Sequence, residues 1–258
     1  MLKFTILGSG TSSGVPTISC SCKTCLSDDP RDSRLRTSLM VQSESTTVVI
    51  DSSPDFRQQM LRHNIKRLDA LVYTHAHYDH IGGFDDVRAF NYTSHKAMPL
   101  YLNSNTLSRL KKTFSYAFED PEQIGGGVPV IDCHLIDSNS FKIGDIEFIT
   151  IELKHGILDV FGFRIGNLAY CTDTNHIPDK SREKLRNLDY LIIDALRPFA
   201  HDTHFSIPEA INEVQSIKPS RKAYLTHIAH QVKHSEWEKK LPENIELAYD
   251  GLTINIEN

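Results

Sequence analysis

Hydrophobic positions fall in short runs rich in β-branched and aromatic residues. Lys3–Leu7, Ser38–Gln42, Thr46–Ile50, Ala70–Tyr73, Glu147–Glu152, Phe161–Ile165, Leu168–Cys171, Tyr190–Ile193 and Lys222–Leu225 are predicted as strands. Helical patterns lie between several of them. Asp55–His63 follows a proline, as helix starts often do, and Asn105–Ala117 and Ile207–Ile217 have amphipathic spacing, the latter with Ser206 as N-cap and Pro208 just inside. No internal repeat, low-complexity tract or linker marks a boundary. This mixture predicts one layered α+β domain over residues 1–258, with sheets covered by helices.

The predicted strands stop at informative places. Thr46–Ile50 ends on Asp51, and Ala70–Tyr73 runs into Thr74 and His75. Glu147–Glu152 is followed by His155, Leu168–Cys171 by Asp173, and Lys222–Leu225 by His227. Strands lying side by side would present these histidines and carboxylates along one rim, a site assembled from loops on a rigid scaffold.

Composition narrows the function classes. At 258 residues, with 40% hydrophobic and 24% charged content, the chain reads as an ordinary globular protein able to bury a sizeable core. The net charge of -5 and the lack of a long basic run disfavour nucleic acid and anionic membrane as partners. No apolar run reaches the length of a membrane span, and MLKFTILGSG is too short and too soon broken by glycine for a secretory signal. Five cysteines form no disulfide framework, so a cytoplasmic location is expected. Thirteen histidines, unevenly spread, are the anomaly.

The densest cluster is Thr74-His75-Ala76-His77-Tyr78-Asp79-His80. In an extended segment His75 and His77 point the same way and can share one ion, while Asp79 and His80 fall where the next turn aims them at a second position. Gly82 and Gly83 are expected to make a tight turn directly behind them. An apolar run delivers the cluster, which argues against four solvated loop residues.

The run His75-x-His77-x-Asp79-His80 with Gly82-Gly83 resembles the signature of the metallo-β-lactamase superfamily, and the remaining family positions follow in order. Asp51 matches the buried aspartate that braces the metal loop. His155 matches the third histidine, Asp173 the bridging aspartate and His227 the last ligand. The resemblance implies the four-layer αββα sandwich. It also implies one divalent ion on His75, His77 and His155 and another on Asp79, His80 and His227, with Asp173 between them. Zinc or manganese suits these donors, and iron is compatible with them. Asp194, at the end of Tyr190–Ile193, has no ligand slot in the family and is expected to be structural or supporting.

Cys20, Cys22 and Cys25 could hold a structural zinc with one further ligand, although composition alone leaves free or redox-active thiols open. His230, three residues after His227, completes a pattern resembling one branch, the phosphoribosyl cyclic phosphodiesterases of phosphonate breakdown and their relatives. These carry a structural zinc on three cysteines and such a histidine. Cys133 and Cys171 are expected to be buried apolar residues.

Two ions roughly 3.5–4 Å apart lower the pKa of a shared water towards about 7 and offset phosphodiester charge. Asp79 is therefore placed among the catalytic residues as well as the ligands. A leaving alkoxide needs a proton, and His204 resembles the non-ligand histidine with that role, with Asp202 expected to orient it and His201 as local competitor. The opening Gly8-Ser9-Gly10-Thr11-Ser12-Ser13-Gly14 lacks the residues of a P-loop. Either phosphate contact through backbone N–H groups or a purely conformational role fits it.

The leading expectation is a phosphodiesterase for a small diester, cyclic forms included, with a homodimer compatible. A tRNA 3′-processing nuclease shares the ligand set, but no basic, Gly-rich arm is present. A glyoxalase II-type thioester hydrolase shares the motif, but lacks the cysteine trio. An antibiotic-degrading β-lactamase fits the second metal group poorly. The non-enzyme alternative is an inactive metal-binding scaffold, against which stands the full set of ligands. Phe114–Gly127, with its three glycines, is a candidate lid.

Overall fold

The computed structural model describes residues 1–119, 127–137 and 139–257. Among these residues, fourteen strands form two seven-stranded sheets. The first contains β1 (Leu2–Gly8), β2 (Ser38–Gln42), β3 (Thr47–Ile50), β4 (Ala70–Val72), β5 (Met98–Leu102), β6 (Ile131–Leu135) and the returning β14 (Thr253–Ile256), in the order β14-β1-β2-β3-β4-β5-β6. The second contains β7 (Ser140–Ile143), β8 (Ile146–His155), β9 (Leu158–Ile165), β10 (Leu168–Cys171), β11 (Tyr190–Asp194), β12 (Lys222–Thr226) and β13 (Ile245–Leu247), in the order β13-β12-β11-β10-β9-β8-β7. Each sheet is antiparallel at one side and parallel at the other, from β3 to β6 and from β10 to β13.

Strand periodicity builds three cores. Val48 and Ile50 of β3, with Ala70 and Val72 of β4, face the second sheet and meet Phe148, Phe163, Tyr170 and Ile192. The intervening Val49 and Leu71 point outwards, under the helices α1 (Phe56–Arg62), α3 (Arg88–Ser94) and α4 (Ser104–Thr113), among Phe56, Met60, Phe90 and Leu110. On the far side, Leu191 and Ile193 of β11 pack under α6 (Ile207–Ile217) through Ala210 and Val214. Strands buried on both faces read as continuous apolar runs, as these do. The result is the expected α/β/β/α layering of the metallo-β-lactamase sandwich. Three short helices, α2 (Tyr78–Ile81), α5 (Asp179–Arg182) and α7 (His234–Trp237), complete the set.

The predicted strands all occur, and β8 runs three residues further than expected, to His155, because it pairs with β9 as far as His155↔Leu158. Five strands escape the sequence reading: β5, β6, β7, β13 and β14. The last four are sheet edges, half exposed and so weakly patterned, and β5 carries Pro99, which argues against a strand. Helix α4 stops at Thr113, and Ser115–Ala117 is a separate 3₁₀ turn. Helix α6 has the expected Ser206 cap, closed into a capping box by Glu209. Of the candidate lid, residues 120–126 lie outside the described residues. No helix among the described residues is long and apolar enough to cross a membrane.

Candidate metal centre

The ends of β3, β4, β8, β10, β11 and β12 gather at one rim and deliver Asp51, His75, His155, Asp173, Asp194 and His227. Three of these residues take left-handed backbone: Asp51 (φ 67°), Asp173 (φ 50°) and His227 (φ 59°). Asp and His are among the residues that tolerate this region, where one residue reverses the chain sharply and turns its side chain back over the strand ends. His75 follows β4 in extended chain, and α2 begins directly after His77, so Asp79 and His80 project from its first turn.

Asp51 is fully buried and fastens this loop. Its Oδ1 accepts from Thr74 N (2.9 Å), and its Oδ2 accepts from Thr74 Oγ1 (2.8 Å) and lies 2.7 Å from His80 Nδ1. Gly82-Gly83 makes the expected tight turn, with φ, ψ of -62°, -22° and -91°, 11°, the values of a type I turn. Glycine is needed there for close approach, because a Cβ on Gly83 would stand 2.2 Å from Ser53 O.

Besides a smaller set, Asp194, His204 and His227, donor atoms converge in two four-residue groups: His75, His77, His155 and Asp173, and Asp79, His80, Asp173 and His227, each within 4.8 Å. Asp173 belongs to both. Its carboxylate lies 3.8 Å from His75 Nε2, 3.2 Å from His80 Nε2 and 3.3 Å from His227 Nε2. Tetrahedral ligands at bond lengths of 2.0–2.1 Å stand about 3.3 Å apart, so this spacing suits donors around an ion. The Nε2 atoms of His75, His80 and His227 are buried with no hydrogen-bond partner. Two outer nitrogens are held, His80 Nδ1 by Asp51 and His155 Nδ1 by Thr203 O at 2.7 Å, which turns each Nε2 inwards, while His227 Nδ1 is buried without a partner among the described residues.

The electrostatics fit a cation. Burial, above all, lowers His75, His77 and His155, so each offers a neutral ring with a lone pair. Burial alone would also lower His80, but Asp173, Asp79 and Asp51 outweigh it and raise this imidazole well above its usual range. The second group thus carries a surplus of negative charge that a divalent ion would balance.

His204 lies beside both groups, its ring centroid 4.6 Å from those of His155 and His227. Asp202, expected to orient it, is exposed, and meets this region only through its backbone carbonyl, which accepts from Asn175 Nδ2. The orienting carboxylate is Asp194. Fully buried at the end of β11, it takes His204 Nδ1 at 2.7 Å and Thr174 N at 2.7 Å. A buried imidazole needs a buried acceptor, and an exposed carboxylate keeps its water. Burial lowers His204, but Asp194 overcomes this and carries it up to about 9. The signal that would have found Asp194 is its place at a strand end, the feature that singles out Asp51 and Asp173.

Cys20, Cys22, Cys25 and His230 form a separate group. His230 Nδ1 is 3.1 Å from Cys20 Sγ and 3.4 Å from Cys22 Sγ, and Thr17 N donates to Cys25 Sγ at 3.3 Å. The backbone N–H of Cys25, followed by His230 and others, lowers Cys22 to about 6, while burial raises Cys25 to about 11. The group is pinned by Arg34, which the sequence reading passed over. It is fully buried, pairs with Asp32 (2.9 Å) and donates to Ala229 O and Val232 O on either side of His230. Cys171 is fully buried as expected, while Cys133 is only half buried.

The Gly-rich opening has four of its N–H groups taken, those of the exposed Ser12 and Ser13 not among them. Ser9 N donates to Asp250, Gly10 N to Leu35 O, Thr11 N to Ile228 O and Gly14 N to Thr11 O, which favours the conformational role. A Cβ on Gly8 would meet Arg36 O at 2.0 Å.

Known proteins agree with this geometry. Residues 46–228 match the family described as a β-lactamase superfamily domain. A solved diphosphatase from the PhnP family is 42% identical, with a TM-score of 0.92 over 100% of this chain and 98% of its own. Zinc-bound PqqB from Methylobacterium extorquens shares the fold at 17% identity, with a TM-score of 0.79 over 98% of this chain and 100% of its own. An octanoyltransferase from Porphyromonas gingivalis (strain ATCC BAA-308 / W83) is 35% identical over 257 residues, which are 98% of this chain and 51% of that protein. The chain thus spans about half the length of this curated relative, and acyl transfer belongs to that longer protein and disagrees with the hydrolase indicated by the diphosphatase. Shared layering, a match over most of the length and full-length likeness to a PhnP-family enzyme converge: the chain belongs to the β-lactamase superfamily, with the metallo-β-lactamase fold, on its PhnP-like branch.

Proposed function

We propose that this protein is a phosphodiesterase working with two divalent ions, one on His75, His77 and His155, the other on Asp79, His80 and His227, with Asp173 between them. Zinc or manganese fits the donors, and iron is compatible. The observation that carries the reading is the Asp194–His204 pair beside both donor groups: a buried imidazole fixed through Nδ1 at 2.7 Å and belonging to neither four-residue group. Hydrolysis of an ester with a poor leaving group requires such a proton donor.

When bound, the ions would supply a water of lowered pKa and would neutralise charge on the phosphoryl oxygens. The chain's own residues do the rest. Asp51 holds the His75–His80 loop in register, and Thr203 O fixes the ring of His155. His204 Nε2 is free to give its proton to the departing oxygen while Asp194 stabilises the ring. A narrow cleft of about 90 Å³ lies beside His75 and His77. The diphosphatase relative supports phosphorus–oxygen chemistry. The Cys20, Cys22, Cys25 and His230 group is proposed to hold one structural zinc.

The direct experiment strips the protein of metal, restores zinc, manganese or iron singly, and follows hydrolysis of bis(p-nitrophenyl) phosphate. Turnover restored by at least one metal is the expected result. No hydrolysis with any of them overturns the reading.

A further inference from the structure

Away from the metal centre, the outer face of the first sheet carries a cleft of about 370 Å³. Phe4 and Ile6 of β1 face the second sheet, so the alternating Lys3 and Thr5 point the other way. Strand register sets Lys3 beside Gln42 of β2, which is paired in turn with Thr47 of β3. His63, at the C-terminal cap of α1, lines the same cleft, and Lys66 and Arg67 follow it on the way to β4. Thr47 stands at one end of β3 and Asp51 just past the other. The cleft therefore lies at the far end of this strand from the metal-ligand histidines.

Its charge is one-sided. Lys3, Lys66 and Arg67 line it together with His63, and no carboxylate does so among the described residues. Arg67 is already paired with Asp69 at 2.8 Å and donates to Ser45 O. Neither Lys3 nor Lys66 has an ion-pair or hydrogen-bond partner among the described residues, so two ammonium groups stand uncompensated. Burial first, then Arg62 and Lys3, push the His63 imidazole below its usual range, which reports a positive field at that ring.

Neutral donors are in place as well. Thr5 is only 2% exposed, and its Oγ1 has no hydrogen-bond partner. His63 Nε2 is buried and equally unpartnered. An unpaired buried hydroxyl costs free energy, and an acceptor in the cleft would recover it. The charge count selects the acceptor. A carboxylate brings one negative charge and leaves one lysine unanswered. A phosphate brings nearly two at neutral pH, with oxygens to spare for a hydroxyl and an imidazole N–H. The cleft is also roomy enough for more than the bare ion, since small-molecule sites start at about 300 Å³.

We infer that this cleft is a binding site for a small phosphate-bearing anion, the free ion or a monoester, held by Lys3 and Lys66 over the hydroxyl of Thr5. The inference is independent of the phosphodiesterase reading, because no residue of the metal centre lines the cleft.

The test reads His63 by NMR in the zinc-loaded protein, so that phosphate bound at the metal centre does not count. The ring resonance, assigned by its loss in His63→Gln, is followed against inorganic phosphate and against glycerol 3-phosphate at constant ionic strength. A saturable shift is the expected result, with the His63 titration midpoint moving up towards its ordinary value. The stronger ligand of the two names the occupant as free ion or monoester. Lys3→Met combined with Lys66→Met should weaken binding by about 10–100-fold, and Thr5→Val by about 3–10-fold. Thr5→Val keeps the shape of a buried β-branched side chain and carries the test if the lysine variant does not fold. A His63 resonance unmoved by millimolar amounts of both anions, or one that moves equally in wild type and folded variants, overturns the site.

Discussion

His204 Nδ1 donates to Asp194 Oδ2 at 2.7 Å, and the same carboxylate oxygen takes the backbone N–H of Thr174. One buried oxygen therefore fixes both the imidazole and the chain directly after Asp173. The loop between β11 and α6 is folded so that residue 204 returns to the strand that ends at residue 194.

This relationship predicts how catalysis will respond to substitution. His204→Ala should lower kcat by about 10²–10⁴-fold with metal retained, and more for an alkyl leaving group than for p-nitrophenolate. Asp194→Asn should show a smaller loss, about 10–100-fold, with the same dependence on the leaving group. Asp202→Asn should change little, because that carboxylate is exposed. Equal losses on both esters would make His204 a positioning residue, and loss of metal from its variant would make it a ligand.

Metal analysis should find two ions at the His/Asp centre and one zinc at the cysteines. Chelation should abolish hydrolysis, and Asp173→Asn should weaken both centre sites, since its oxygens approach His75, His80 and His227. A single ion at the centre of fully active protein, counted by elemental analysis, would contradict the two-metal assignment.

Cys22→Ser should lose one zinc and lower the melting temperature while kcat of the folded fraction changes little, because a structural zinc contributes to folding. Arg34→Met should act in the same direction by leaving Asp32 buried without its partner, a change that typically costs about 3–5 kcal/mol. Unchanged zinc content and melting temperature in Cys22→Ser would rule out a zinc site.

His234 predicts a pH effect on stability. Burial first, then Arg31 and Arg34, lower it from 6.5 to about 4 in the folded protein. Between those values the unfolded chain binds the extra proton and the folded one does not, so stability present above pH 6.5 is lost as pH falls towards 4. Urea unfolding at pH 7.5 and 5 should show His234→Gln losing less stability than wild type over this interval, by about 1–2 kcal/mol after allowing for solvent screening. Parallel losses in the two proteins would exclude His234 as the cause.

Much of the layering and the His75–His80 cluster can be read from the chain because both are encoded in short stretches, while His155, Asp173 and His227 join them only through the family resemblance. Strands such as β3 and β11 are continuous apolar runs, and His75, His77, Asp79 and His80 stand within six residues, so period and spacing make them legible without the fold. Edge strands, half exposed, left no such pattern. Folding alone brings Asp194, and not Asp202, against His204, and sets Arg34 between the cysteine loop and residues 229–232. Each depends on which groups become buried together when distant segments meet. Asp202 is nearer to His204 along the chain, but Asp194 is the carboxylate that folding removes from water, and a desolvated acceptor binds the donor it meets more firmly than a solvated neighbour can.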